Sequence, residues 1–217
     1  MDRTGLRTTL ASLAADLRAS GMDVLAVTLL DPATDAQITD VEEQLGLRLP
    51  DSLRQVFLKV TAGVDWAWFA PQGVDFPRPF HENFCGQLDW SLTDLPQRQQ
   101  ARQEWIDAVF PDPDDPYDAV WHGKLSLAEV GNGDQLAVDL DPAHLGSVVY
   151  LSHDDGEGHG HRMAESLGDL LDRWAPVAFA GAEDWQWLPF TGSDHGPIDP
   201  VGPVADAWRQ LLGLRPV

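Results

Sequence analysis

The sequence predicts a mixed helix-and-sheet fold, on two observations. Positions 38–63, ITDVEEQLGLRLPDSLRQVFLKVTAG, carry apolar residues at helical spacing on both sides of a Gly46 to Pro50 turn. Positions 133–174 carry short apolar runs with strand alternation and then an amphipathic helix. Neither stretch holds the parts list of an enzyme, so the chain reads as a scaffold that binds something.

The elements follow in order. Leu6, Leu10, Leu13 and Leu17 recur at four, three and four, which predicts a helix from about 3 to 19 with Gly21 as its stop. Val24 to Leu30 is a short apolar run suited to a strand or extended arm. Thr34 and Gln37 have capping-box spacing, and Ile38, Val41 and Leu45 line the helix that follows up to Gly46. Pro50 suits the first turn of a second helix along which Leu53, Val56, Phe57 and Val60 repeat, with Gly63 closing it.

From Trp66 to Gly86 the prolines and glycines predict a long surface loop packed by its own aromatics. Leu88 to Leu92 reads as a strand, and Leu95 to Phe110 as a polar helix anchored by Trp105, Ile106 and Val109. The run PDPDDP at 111–116 must face water. Three strands are expected at 125–130, 135–140 and 147–152, the middle one with a single apolar face from Leu136, Val138 and Leu140. The turn HDDGEGHGH at 153–161 leads to a helix whose buried side is Met163, Leu167, Leu170, Leu171 and Trp174. A tail with Trp185 and Trp187 ends in a short helix from about Val204 to Leu212.

Composition narrows the function. The chain has 217 residues, 43% of them hydrophobic, with nine Trp and eight Phe, enough for one sizeable core. No apolar stretch approaches the roughly 20 residues a membrane span needs, and Arg3, Arg7, Asp16 and Arg18 interrupt the N-terminal region, so a cytoplasmic protein is expected. The single cysteine, Cys85, rules out an internal disulfide framework and reads as a small buried side chain. Asp plus Glu number 35 against 14 Lys plus Arg, a formal net charge of -21 that disfavours nucleic acid and anionic membranes and favours basic partners. With only Lys59 and Lys124 as lysines, a habitat or codon bias is the bland source of the same charge.

Chemical constellations are few. His153, His159 and His161 with the carboxylates between them have the donor types of a divalent-metal site, but the intervening glycines leave the loop without a fixed shape, so no metal or cofactor is expected. Asp139, Asp141, Asp154 and Asp155 stand near one another if the strands around 140 and 147 form a hairpin, and they read as solvated turn residues. Trp105 and Trp174 are expected in the core. Trp66, Trp68, Trp90, Trp185 and Trp187, in edge or loop segments beside acids, are the candidate interface anchors, with Asp139, Asp141, Asp154, Asp155 and Glu157 as the acidic contacts.

Glu42, Gly46, Leu49, Pro50 and Gly63, then Gly133-Asp134, Asp139, Gly146, Val149-Tyr150, His153-Asp154 and the Leu167 to Trp174 helix, together resemble the SMI1/KNR4 family of the SUKH superfamily. The resemblance implies an α+β fold in which a mostly antiparallel β-sheet is flanked by helices. It implies an SMI1/KNR4-like domain over 1–176, with 177–217 as a C-terminal extension packed on the same domain. Bacterial members are similar to immunity proteins that neutralise nuclease, deaminase and other toxins, and a fungal relative is a regulator of cell-wall synthesis and signalling. Both roles are binding roles, so the expectation is a non-enzymatic protein that occludes a cognate, basic toxin. A regulatory scaffold is the alternative, and a metal-dependent hydrolase built on His153, His159 and His161 is the reading set aside.

Overall fold

The structure is a computed structural model that describes residues 1–192 and 196–215; the remaining residues of the C-terminal extension lie outside the described residues. Helix α1 (Arg3–Ala19) buries Leu6, Leu10, Leu13 and Leu17, the stripe that the leucine spacing predicts, and Asp2 caps it by accepting from the Gly5 N–H at 2.7 Å. The Val24 to Leu30 run divides into two short strands, β1 (Asp23–Val24) and β2 (Thr28–Leu29). Both pair antiparallel with successive parts of β3 (Gly63–Phe69), while β4 (Cys85–Ser91) pairs along the whole of β3.

Between β2 and β3 lie α2 (Asp35–Leu45) and α3 (Asp51–Lys59). The Thr34–Gln37 capping box is present and Gly46 ends α2 in the left-handed conformation with φ 66°. Glu42 ties the two helices together: its carboxylate accepts from the Leu49 N–H at 2.8 Å and from Arg54 at 2.6 Å. Gly63 does not close α3. That helix ends at Lys59, where Thr61 turns the chain through hydrogen bonds from its hydroxyl to the carbonyls of Leu30 and Gly63, and Gly63 opens β3 instead. A Cβ at Gly63 would lie 2.9 Å from the Trp90 carbonyl, so the neighbouring strand requires glycine here.

The segment from Trp66 is a second correction. Trp66 to Phe69 belong to β3, with Val64, Trp66 and Trp68 turned into the core and Asp65 and Phe69 exposed. That is period-two alternation, masked in the sequence by the prolines that follow. The irregular stretch after it is packed by Phe76 and Phe80, whose rings stand 4.9 and 5.0 Å from Trp208 in the tail.

The second sheet, in the order β5 (Lys124–Glu129), β6 (Gln135–Asp139), β7 (Val148–Leu151) and β8 (Arg162–Ala164), is antiparallel throughout. All five residues of β6 are buried rather than one face of it. Leu136 and Val138 join the main core, while Ala137 joins a smaller one with Val149, Leu151, Ile106, Phe110 and Trp121. That smaller core lies beneath α4 (Leu95–Val109) and the short α5 (Asp118–Trp121). α4 also stands in for a neighbouring strand at the β5 edge: Gln99 accepts from the Ser126 N–H at 3.0 Å, and buried Arg102 donates to the carbonyls of Trp121 and Lys124. Burial without an acidic partner lowers the Arg102 guanidinium to about 10.

Met163 sits in β8, and α6 (Leu167–Trp174) starts only after Ser166, which accepts from the Asp169 N–H at 3.1 Å. Trp174 is core as expected, but Trp105 is 42% exposed, because the inward face of α4 is filled by Leu95, Arg102 and Ile106. Val109, the other expected anchor, is exposed as well. After α6 the chain runs through Val177 to Gly181 along the free edge of β4, where the Gln87 N–H donates to Phe179 and the Gly181 N–H to Cys85. It then forms α7 (Asp184–Trp187) and α8 (Pro203–Leu211). Trp208 of α8 packs on Trp68 and Phe190, and its indole donates to the Val177 carbonyl at 3.0 Å. Val177, Phe179, Trp187 and Trp208 thus belong to the same core as Leu6 and Trp66. Burial raises the Cys85 thiol to about 11, which keeps it protonated and inert at neutral pH. Among the described residues no helix is long and apolar enough to cross a membrane.

Candidate functional site

The turn between β5 and β6 places Asp134 at the start of β6, where it is 1% exposed. One carboxylate oxygen accepts from the His153 N–H at 2.9 Å and from its imidazole Nδ1 at 2.6 Å. The other accepts from the Asn132 amide at 2.8 Å and from the Tyr150 hydroxyl. Burial alone would raise the Asp134 carboxyl, but the bonds from Tyr150, His153 and Asn132 outweigh it and hold it below the usual carboxylate range. For Tyr150, burial together with the adjacent Asp134 carboxylate pushes the phenol far up, so it stays a donor.

The Tyr150 hydroxyl in turn accepts from the Asp184 N–H at 3.1 Å, and the Asp184 carboxylate accepts from the Gly158 N–H at 2.8 Å. This chain of bonds pins the 153–161 turn to α7. The glycines in that turn are therefore not a source of looseness. A Cβ at Gly158 would lie 2.5 Å from Asp184 Cβ and 2.9 Å from the Trp187 ring, and one at Gly156 would lie 2.6 Å from Ser152 Oγ. His159 is fixed too: its Nδ1 accepts from the Ser152 N–H at 3.1 Å, its Nε2 donates to the Tyr117 carbonyl at 3.0 Å, and its ring stacks on Tyr117 at 3.9 Å. That pattern is the neutral tautomer, in line with burial lowering its pKa.

Tyr117 brings a second acidic segment onto the first. Its hydroxyl donates to the Ser152 carbonyl at 2.6 Å and accepts from the Asp155 N–H at 3.0 Å. The segment carrying Asp112, Asp114, Asp115 and Asp118 is thereby tied to the one carrying Asp154, Asp155 and Glu157, and Glu183, which caps α7, lies within reach of the Asp154 charge. Glu183 senses this crowding: burial first, then the charges of Asp134, Asp184 and Asp154, raise its carboxyl above the ordinary value. The result is an acidic face made by three chain segments.

The residues singled out from the sequence divide accordingly. Asp154, Asp155, Glu157 and Trp185, the last 42% exposed, stand on or beside this face. Trp66, Trp68, Trp90 and Trp187 are buried, which corrects their placement as exposed anchors: all four indoles belong to the main core. Asp139 and Asp141 do not join Asp154 and Asp155. The β6–β7 register sets Gln135 opposite Leu151 and Val138 opposite Val148, so the two pairs of carboxylates occupy opposite ends of the hairpin. Asp139 is buried there beside the Lys124 ammonium at 3.3 Å, and Asp141 caps the exposed turn through the Ala143 N–H. His153, His159 and His161 also part company, since His161 reaches the Gly196 carbonyl under Trp187. Among the described residues the donors within 4.8 Å of one another are instead those of Asp134, His153 and Asp154. Asp134 in that trio is already engaged by four protein donors.

Sequence reasoning left out Asp134, Tyr117 and Glu183 as site residues. The density of acids in PDPDDP was the available signal for the second segment, while Glu183 is brought in only by tertiary packing.

The family model described as SMI1 / KNR4 family (SUKH-1) matches residues 32–173. The chain belongs to the SMI1/KNR4 (SUKH-1) family. No curated protein matches it. The Gly133-Asp134 and His153-Asp154 pairs, which carry the resemblance, meet in this chain through the bonds from His153 to the Asp134 carboxylate. The family match ends at residue 173, so Glu183, Asp184 and Trp185 lie outside the matched residues.

Proposed function

We propose that the chain is a non-enzymatic immunity protein that neutralises a cognate bacterial toxin in the cytoplasm by covering the toxin's active surface. Family membership over residues 32–173 is the observation that carries the reading, since this family's bacterial members are similar to immunity proteins. The acidic face supplies the means. A formal charge of -21, to which the 111–118 segment contributes four carboxylates and the 153–157 segment three, steers a basic partner and repels nucleic acid. Asp154, Asp155 and Glu157 are its exposed charges and Trp185 its nearby exposed ring. The polar groups beneath them, Asp134, Tyr150, His153 and His159, spend their hydrogen bonds on one another and on backbone, which suits a rigid platform.

Co-expression tests this. Cells producing the toxin encoded beside this chain should survive when the chain is present, and the purified pair should associate more slowly as salt is raised. No protection, with no complex formed, would refute the immunity role.

A further inference from the structure

Helix α4 carries two apolar stripes. Leu95, Arg102 and Ile106 face inward. Ala101, Trp105, Ala108 and Val109 follow one another at four, seven and eight, which places them on one outward face. All four are exposed, Trp105 by 42% and Val109 by 44%. A lone exposed apolar side chain is ordinary, but an aligned stripe centred on an indole is a surface without its cover.

The chemistry around the stripe is one-sided. Between Arg102 and Lys124 the sequence holds Glu104, Asp107, Asp112, Asp114, Asp115 and Asp118 and no Lys or Arg. On α4 itself Glu104 and Asp107 take hydrogen bonds from the neutral amides of Gln100 and Gln103, at 2.9 and 2.8 Å, which leaves their charge uncompensated. Trp105 packs edge-on against Phe110 at 6.3 Å, Phe110 against Tyr117 at 5.6 Å, and Tyr117 on His159. Through buried Phe110 the stripe is thus packed onto Tyr117, whose hydroxyl holds the Asp155 N–H of the 153–157 segment.

We propose that the α4 stripe centred on Trp105 is the apolar middle of this protein's interface, and that its occupant is a protein surface presenting basic side chains around an apolar patch. A second copy of the chain fits poorly, because pairing would press Glu104, Asp107 and Asp112 against their own equivalents. The proposal rests on the protein-binding reading and adds to it the side chain that anchors the partner.

The test titrates the full chain with a synthetic amphipathic Leu/Lys helical peptide and with its Leu/Glu counterpart. The Lys peptide should bind, with affinity falling about tenfold or more in Trp105→Ala and falling also in Val109→Ser, while Leu25→Ala, at an exposed position between β1 and β2, changes nothing. The Glu peptide should not bind. Equal affinity of Trp105→Ala and the parent overturns the proposal, as does sedimentation showing a dimer that Trp105→Ala dissolves. Toxin co-expression separates the two claims. Full protection by Trp105→Ala removes the stripe and leaves the immunity role, whereas Trp105-dependent peptide binding without protection does the reverse.

Discussion

The two ends of the β6–β7 hairpin each bury an aspartate, and they treat its charge differently. At the turn end Asp139 lies beside the Lys124 ammonium at 3.3 Å, so a cation cancels it within the fold. At the open end Asp134 is held by a hydroxyl, an amide, a backbone N–H and an imidazole, with no Lys or Arg among its partners. Buried carboxylates need either a counter-charge or a full set of donors. The first solution cancels the buried charge within the fold. The second keeps an uncancelled charge beneath Asp154, Asp155 and Glu183, so the two ends differ in local charge.

Removing 177–217 is the severest way to break this contrast. It deletes Asp184, whose N–H and carboxylate link Tyr150 to Gly158, and it deletes Trp208 from the core. Loss of a buried Trp side chain alone costs about 3–5 kcal/mol, so the 1–176 fragment should show no cooperative thermal transition. Next in size is Asp134→Ala, which strands the Tyr150 and His153 donors in a buried site and should cost roughly 3–5 kcal/mol in urea unfolding. Asp139→Ala should cost less, about 2 kcal/mol, because it leaves only the Lys124 ammonium and the Asp141 N–H without this acceptor, and the ammonium keeps the His122 carbonyl. If the turn-end variant proves the more damaging, the two ends do not differ in the way described.

Much of this architecture was legible in the sequence because it is local. The leucine stripe of α1, the Thr34–Gln37 box and the Gly46 stop of α2 each depend on residues within a few positions of one another. Gly63 and Trp66 misled because a glycine after a helix and an aromatic run before prolines have two local readings, and only the pairing of β3 with β4 selects one. The candidate site was legible in its 153–157 segment and obscure elsewhere. Nothing local tells Trp105 from Ile106, one residue apart on a helix, when the inward face is filled by an arginine stem. Nor does spacing reveal that Glu183 stands within reach of Asp134, 49 positions earlier in the chain.

The finest test of the difference between the two ends is Glu183→Gln read against pH. Burial and the charges of Asp134, Asp184 and Asp154 raise the Glu183 carboxyl above 4.5, so the native state holds this proton more tightly than the unfolded chain does. Its contribution favours folding below the unfolded value and is lost as pH rises through the raised native one. At neutral pH the charged Glu183 thus gains nothing, and the neutral amide, which can still accept from the Gln186 N–H as the helix cap does, removes repulsion. The midpoint of melting at pH 7 should rise by about 1–3 °C, with the gain shrinking toward pH 4. Asp134 works in the opposite sense: its lowered carboxyl supports the fold above its unfolded value of 3.8 and withdraws that support as the pH falls through the native value. A parent protein whose melting point rises on mild acidification and falls on stronger acidification, with only the rise diminished in Glu183→Gln, would place the repulsion at the open end; an unchanged rise would place it elsewhere.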